Sequence, residues 1–216
     1  CKSMSKKIPY GQHELDEHDI QSVVDILRKG TITQGQTVED FGQALADYAG
    51  AKYGLAVSNG TAALHLALQA CGVGRGDEVL VPSLTYIASF QAISATGATP
   101  VACDINSETL LLNLLDAEKR VTEKTKVILP VHLYGKISPM VDIMSIAKCH
   151  GLLVLEDCAQ CHMGKTDNGQ LVGTIGDAGS WSFENSKHLT TGDGGIVATD
   201  DEELAAKMRK FAAKRK

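Results

Sequence analysis

Two stretches of this chain set the terms for everything else: Lys126-Val127-Ile128-Leu129-Pro130-Val131 and Leu152-Leu153-Val154-Leu155-Glu156. Neither shows the alternation of polar and apolar residues that marks a strand with one face in water. Strands of this kind are covered on both faces, which is the situation in a mainly parallel sheet between two layers of helices. Parallel neighbours cannot be joined by a tight hairpin. Each pair needs a crossover, so the intervening sequence must supply helices.

It does. Glu14–Lys29 places Ile20, Val23, Val24 and Leu27 on one helical face, with Gly30 where a C-cap belongs. Thr37–Ala49 repeats the pattern with Val38, Phe41, Leu45 and Tyr48, and Gly50 ends it. Strands are then expected at Tyr53–Val57, Glu78–Val81, Thr99–Asp104, Lys126–Val131, Leu152–Glu156, Gly179–Phe183 and Gly195–Thr199. Helices are expected at Thr61–Cys71, Thr85–Thr96, Asp116–Thr122 and Pro139–His150. A last helix runs from Asp201, with acids early and Lys and Arg late, as the helix dipole favours. The architecture this predicts is α/β: one three-layer α/β/α domain around a mainly parallel seven-stranded sheet.

Composition excludes several classes. A formal net charge of −5 gives nucleic acid or an anionic membrane no electrostatic handle. No apolar run approaches the roughly 20 residues of a bilayer span. The expectation is no nucleic-acid partner and no membrane. Residues 1–7 are charged and lead into no apolar segment, so they read as a disordered leader and not a secretory signal. The six cysteines then read as free thiols of a cytoplasmic protein. Cys158-x-x-Cys161 lacks the second ligand pair of a finger-type zinc site. His132 and His162 show no ligand spacing either, and no metal is expected. Asn59-Gly60-Thr61 and Arg75-Gly76-Asp77 match a glycosylation sequon and an adhesion tripeptide, and both are read as turns.

In open sheets of this kind, ligands bind at the carboxyl ends of strands. Three segments there carry chemistry. Ser58-Asn59-Gly60-Thr61-Ala62-Ala63 closes a strand and opens a helix. Free amides at a positive helix end suit a phosphate, although an ordinary capped turn would look the same. Asp157 follows a buried strand, where an acid is costly unless it is paired with a cation or caps a helix. Lys187 lies in a polar loop between two apolar strands, ahead of the glycine-rich Gly192-Asp193-Gly194-Gly195. A partly desolvated setting would lower its pKa and make it a nucleophile, whereas most single lysines are simply solvated.

Together these segments, in this order, resemble the DegT/DnrJ/EryC1/StrS sugar aminotransferases, which have the fold type I of pyridoxal-phosphate (PLP) enzymes. The matching landmarks are Ile8-Pro9-Tyr10, Thr33-Gln34-Gly35, Ser58 to Leu64, Gly76-Asp77-Glu78-Val79, Pro130 to Gly135, Glu156 to Gln160, and Ser182-Phe183 through Lys187 to Gly195. The resemblance implies that Lys187 is the Schiff-base lysine and proton shuttle. It implies that Asp157 pairs with the pyridine N–H, that Gln160 sits near the ring hydroxyl, and that Tyr86 stacks on the ring. The amides of Thr61 and Ala62, on the turn that Gly60 permits, would bind the phosphate with the Ser182 hydroxyl.

The same resemblance implies a reaction: an amino group passes from an amino acid donor, glutamate, to a nucleotide-linked keto-deoxysugar, in a homodimer with a shared active site. A cyclitol or an aminobenzoate precursor is an alternative acceptor, and a non-catalytic sensor of the same fold is a further reading. By this resemblance residues 8–216 are expected to be the PLP-binding large domain, with the family's smaller C-terminal domain absent. Two further departures are Glu184, where the family often has His, and Asp193, where it often has Glu. A related dehydratase branch replaces the lysine with histidine. Here Lys187 is kept, although His188 follows it, and the kept lysine favours transamination.

Overall fold

The computed structural model describes residues 12–29 and 31–213. The leader, the Ile8-Pro9-Tyr10 landmark and the Gly30 cap lie outside them. The elements in chain order are helices α1 (Glu17–Lys29) and α2 (Gln36–Ala49), strand β1 (Tyr53–Val57), α3 (Gly60–Ala70), β2 (Glu78–Pro82), α4 (Ala88–Ala95), β3 (Thr99–Cys103), α5 (Leu114–Lys119), β4 (Thr125–Ile128), α6 (Met140–His150), β5 (Leu153–Asp157), β6 (Ala178–Ser182), β7 (Gly195–Thr199) and α7 (Glu202–Ala212). The strands form one sheet in the order β1-β7-β6-β5-β4-β2-β3.

Five strands, β2 to β6, pair parallel, and β7 runs antiparallel to both β6 and β1. The reversal follows from the connection. Residues 183–194 contain no crossover helix, so the chain must return beside the strand it has just left. The mainly parallel α/β architecture expected from the apolar runs is what the chain adopts.

Burial explains why those runs lack alternation. Val79, Val81, Val127, Leu129 and Leu155 join a core with Leu64, Leu68 and Ile93 on one side of the sheet. Their sequence neighbours Leu80, Ile128 and Val154 pack on the other side with Met140 and Ile143. A third cluster packs Leu45 and Ala46 of α2 against Trp181 and Ile196. Both faces are dry, so every position must be apolar. Among the described residues no helix is long and apolar enough to cross a membrane.

The structure departs from the expected boundaries where local chemistry intervenes. β4 ends at Ile128, before Val131, because Pro130 has no N–H to continue the ladder. Leu129 still donates to the Leu80 carbonyl at 2.8 Å, and Asp157 donates to the Pro130 carbonyl at 2.9 Å. α5 begins earlier than Asp116 because Asn113 caps it, its side chain accepting from the Asp116 amide at 3.2 Å. α4 starts at Ala88, and Thr85 and Tyr86 remain in the segment before it. The apolar face of α1 is real but uncovered: Ile20, Val23 and Leu27 are exposed, and no residue of α1 is buried. Helical periodicity says that a face seeks cover, and here the sheet's faces are already occupied by later helices.

α2 and β1 meet through two glycines. A Cβ on Gly54 would fall on the Gly42 carbonyl oxygen, and one on Gly42 would lie 2.9 Å from the Ala56 amide nitrogen. Backbone packs on backbone here, with no room for a methyl group. Gly54→Ala is expected to lose about 1–3 kcal/mol of stability through overpacking, read as a lower urea midpoint with an unchanged m-value.

Candidate active site

The carboxyl ends of β1, β5 and β6 and the loop after β6 converge on one cleft of about 740 Å³. That volume lies within the range of small-molecule sites. Asn59, Gly60, Thr61, Tyr86, Asp157, Gln160, Ser182 and Lys187 all line it.

The turn after β1 is shaped by close approach. Asn59 is the N-cap of α3, and its side chain accepts from the Ala62 amide at 2.8 Å. A Cβ on Gly60 would lie 2.6 Å from the Cβ of Ser182, and one on Gly195 would fall on the Asn59 carbonyl. Only glycine lets the start of α3 press against the ends of β6 and β7. The amides of Gly60 and Thr61 take no partner among the described residues. They stand beside the Ser182 hydroxyl at the positive end of a helix. The expected use of the Ala62 amide is corrected by this geometry. That N–H is committed to Asn59, Ala62 does not line the cleft, and the free donors are one residue earlier.

Asp157 ends β5 and is 5% exposed. Its carboxylate accepts from the Ser89 hydroxyl at 3.0 Å and the Ala159 amide at 3.1 Å. Ser89 is in turn 2.9 Å from the Thr85 hydroxyl. Burial dominates and pushes the Asp157 pKa up, while those two donors and, more weakly, the charge of Lys187 pull it down. The carboxylate is therefore short of positive charge, and it faces a cleft with room for a cation.

Lys187 is half-buried on the loop between β6 and β7. Ser186 donates to the Glu184 carboxylate through its amide at 3.0 Å and its hydroxyl at 2.6 Å, and Lys187 N–H donates to the Glu184 carbonyl at 2.9 Å. The Ser186 hydroxyl and amide hold the Glu184 carboxyl below its ordinary pKa. Thr191 N–H closes back on the Phe183 carbonyl at 3.0 Å, and Phe183 N–H on that of Gly194 at 2.8 Å. The loop thus holds its own shape.

Gln160 faces the cleft with a defined end. Its Oε1 accepts from the Tyr134 amide at 3.3 Å, and its backbone carbonyl accepts from the Gly135 amide at 3.0 Å. The side-chain NH₂ remains available as a donor. Tyr86 is 68% exposed and lines the same cleft.

The two buried histidines lie behind the site and do not line it. The amide of Ser138 donates to His132 Nδ1 at 3.0 Å, so Nε2 carries the ring hydrogen and donates to Glu156 at 3.0 Å. Glu156 also accepts from the amides of Gly173, Ile175 and Gly176 at 2.7–2.8 Å. Cys158 Sγ is close to this pair, but the imidazole and carboxylate are already committed to hydrogen bonds. His162 packs against Phe183 and His188, with ring centroids 5.2 and 5.5 Å away. Sequence reasoning missed Ser89 and Tyr134 at the site. Ser89 meets Asp157 across 68 positions, a separation that leaves no local signal.

The family model of the DegT/DnrJ/EryC1/StrS aminotransferases matches residues 13–214. The chain belongs to this family. GDP-perosamine synthase of Caulobacter vibrioides is 45% identical over 204 residues, which are 94% of this chain and 55% of that protein. L-glutamine:2-deoxy-scyllo-inosose aminotransferase of Streptomyces fradiae is 43% identical, over 80% of this chain and 41% of that protein. The crystal structure of NtdA from Bacillus subtilis with bound cofactor PMP superposes with a TM-score of 0.84 at 38% identity, covering 89% of this chain and 43% of that one. The chain spans about half the length of the curated relatives it matches.

Burial lowers the His162 pKa from 6.5 to about 4. The unfolded chain therefore takes up a proton first as pH drops. Stability from this group is complete above about 6.5 and is lost between about 6.5 and 4. His162→Phe keeps a ring against Phe183 and removes the titration. Its thermal midpoint is expected to fall less between pH 7 and pH 4.5 than that of the parent.

Proposed function

We propose that this chain is the cofactor-binding domain of a PLP-dependent aminotransferase that passes an amino group from an amino acid, glutamate, to a nucleotide-linked keto-deoxysugar. The observation that carries the proposal is the convergence of Asp157, Lys187 and the unpartnered amides of Gly60 and Thr61 on one cleft.

The residues suit the cofactor group by group. Asp157 is a buried carboxylate short of a cation, and a protonated pyridine nitrogen would supply one. The Gly60 and Thr61 amides and the Ser182 hydroxyl form a donor set for the phosphate. The free NH₂ of Gln160 suits the ring oxygen, and Tyr86 offers an aromatic face to the ring. Bound PLP supplies an electron sink for the carbon that loses its proton. The protein's share is to hold the ring with Asp157, to exclude water behind it with the dry sheet, and to move one proton through the Lys187 amine. Glu184, held ionised by its Ser186 donors, lines the same cleft as that amine.

A homodimer in the cytoplasm, with the family's smaller domain beside this one, belongs to the same proposal. Similarity to GDP-perosamine synthase supports the sugar acceptor. Similarity to the scyllo-inosose aminotransferase supports a cyclitol as the second reading. Product analysis of the full-length protein with a nucleotide-linked keto-sugar and with a keto-cyclitol separates the two.

The full-length protein loaded with PLP is expected to show the near-visible band of lysine-bound cofactor and to lose it on adding glutamate. Lys187→Ala should abolish the band and the transamination. A band that persists in that variant refutes the assignment, and a parent that does not respond to glutamate favours a sensor. Asp157→Asn should bind PLP at least about tenfold more weakly. Without cofactor at pH 7, however, its thermal midpoint should rise by about 2 °C or more, because a buried charge has been removed.

A further inference from the structure

The turn before the Lys136 amide is built in an unusual way. Lys136 N–H donates to the Leu133 carbonyl at 2.9 Å, closing a four-residue turn whose two central residues, Tyr134 and Gly135, both have positive φ, 54° and 77°. Such a primed turn calls for Asn, Asp or Gly at its first central position. Tyrosine there is strained, since its Cβ crowds the backbone in this region. Among the described residues only Leu110 and Tyr134 are non-glycine residues with positive φ.

Strain in a bulky residue is ordinarily offset by burying the side chain. Tyr134 does the reverse: it is 67% exposed and stands in the cleft wall. The backbone nevertheless holds it firmly. Gln160 clamps the turn from one side, accepting from the amides of Tyr134 and Gly135. From the other side Leu133 is buried, and His132 N–H donates to the Asp157 carbonyl at 3.0 Å. Both anchors lead to the strand that carries Asp157. The ring is therefore fixed relative to the candidate reaction centre while its surface is left to the cleft. Besides the imidazole of His188, the aromatic residues that line the cleft are Trp181, which is buried, Tyr86, which is assigned to the cofactor, and Tyr134. Tyr134 is the exposed phenol that remains.

We infer that Tyr134 is a substrate-positioning residue that holds the hydroxylated six-membered ring of the amino acceptor, through its aromatic face and its phenol. This rests on the aminotransferase reading of the same cleft. The amino acid donor is small and reacts at the cofactor, so it does not need this residue.

The two half-reactions of the full-length holoenzyme separate the roles. Tyr134→Gly removes the ring and relaxes the backbone, so its thermal midpoint should equal or exceed that of the parent. Loss of the lysine-bound band on adding glutamate should stay within about twofold of the parent rate. For the keto-acceptor, KM should rise about tenfold or more in Tyr134→Gly and by less in Tyr134→Phe, with kcat changed less than KM. An unchanged acceptor KM in Tyr134→Gly overturns the inference, and so does an equal slowing of both half-reactions, which would make the turn a support for the cofactor. A parent that binds PLP but does not react with glutamate sinks the aminotransferase reading itself, and this inference with it.

Discussion

The cleft depends on a carboxylate that never enters it. Glu156 is fully buried, and an unpaired acid in that position would be prohibitive. Its four hydrogen bonds make it a hub. Three come from amides of Gly173, Ile175 and Gly176 on the segment leading into β6, and the fourth comes from His132, just past β4. One side chain on β5 therefore ties down the approaches to its neighbours on both sides. Asp157 follows it in the chain and, as strand geometry requires, points the other way. The buried acid that organises the scaffold and the acid that faces the ligand are adjacent residues of one strand, so loosening the first would misplace the second.

The fold was legible because its cause is local in sequence. A strand dry on both faces must read Val-Leu-Val or Val-Ile-Leu, as β2 does and as the end of β4 does together with Leu129. Helix and strand boundaries were less legible where a single polar group decides them. Asn113 capping α5 and Pro130 ending β4 are both visible in the sequence, but their effect depends on which backbone groups lie opposite. The cover of α1 was not legible at all, since an amphipathic pattern names a face and not its partner.

The site was legible through its order along the chain and not through its contacts. Asp157, Lys187 and the Gly60-Thr61 turn are separate in sequence, and each alone has an ordinary explanation. What joins them is topology: parallel strands deliver their carboxyl ends to one edge, and the reversal of β7 folds the Lys187 loop back over it. The free amides of this turn lie one residue earlier than the sequence suggested, because a free amide can be recognised only after the cap is known. Asn59 could cap either Thr61 or Ala62, and it takes Ala62. Similarly, the identity Tyr134 is plain in the sequence, whereas its positive φ is a property of the turn and of the Gln160 clamp.

Two of these features oppose stability in the domain by itself. Asp157 is held in a place that disfavours its charge, and Tyr134 is held in a backbone region that disfavours its side chain. Neither group recovers that cost through contacts of its own: the first has two donors against full desolvation, and the second leaves most of its ring uncovered. A chain selected for stability alone would replace them with Asn and Gly. Both unfavourable residues face the same cleft and are tied to the same strand, which is the pattern expected when a ligand supplies the missing charge and the missing cover.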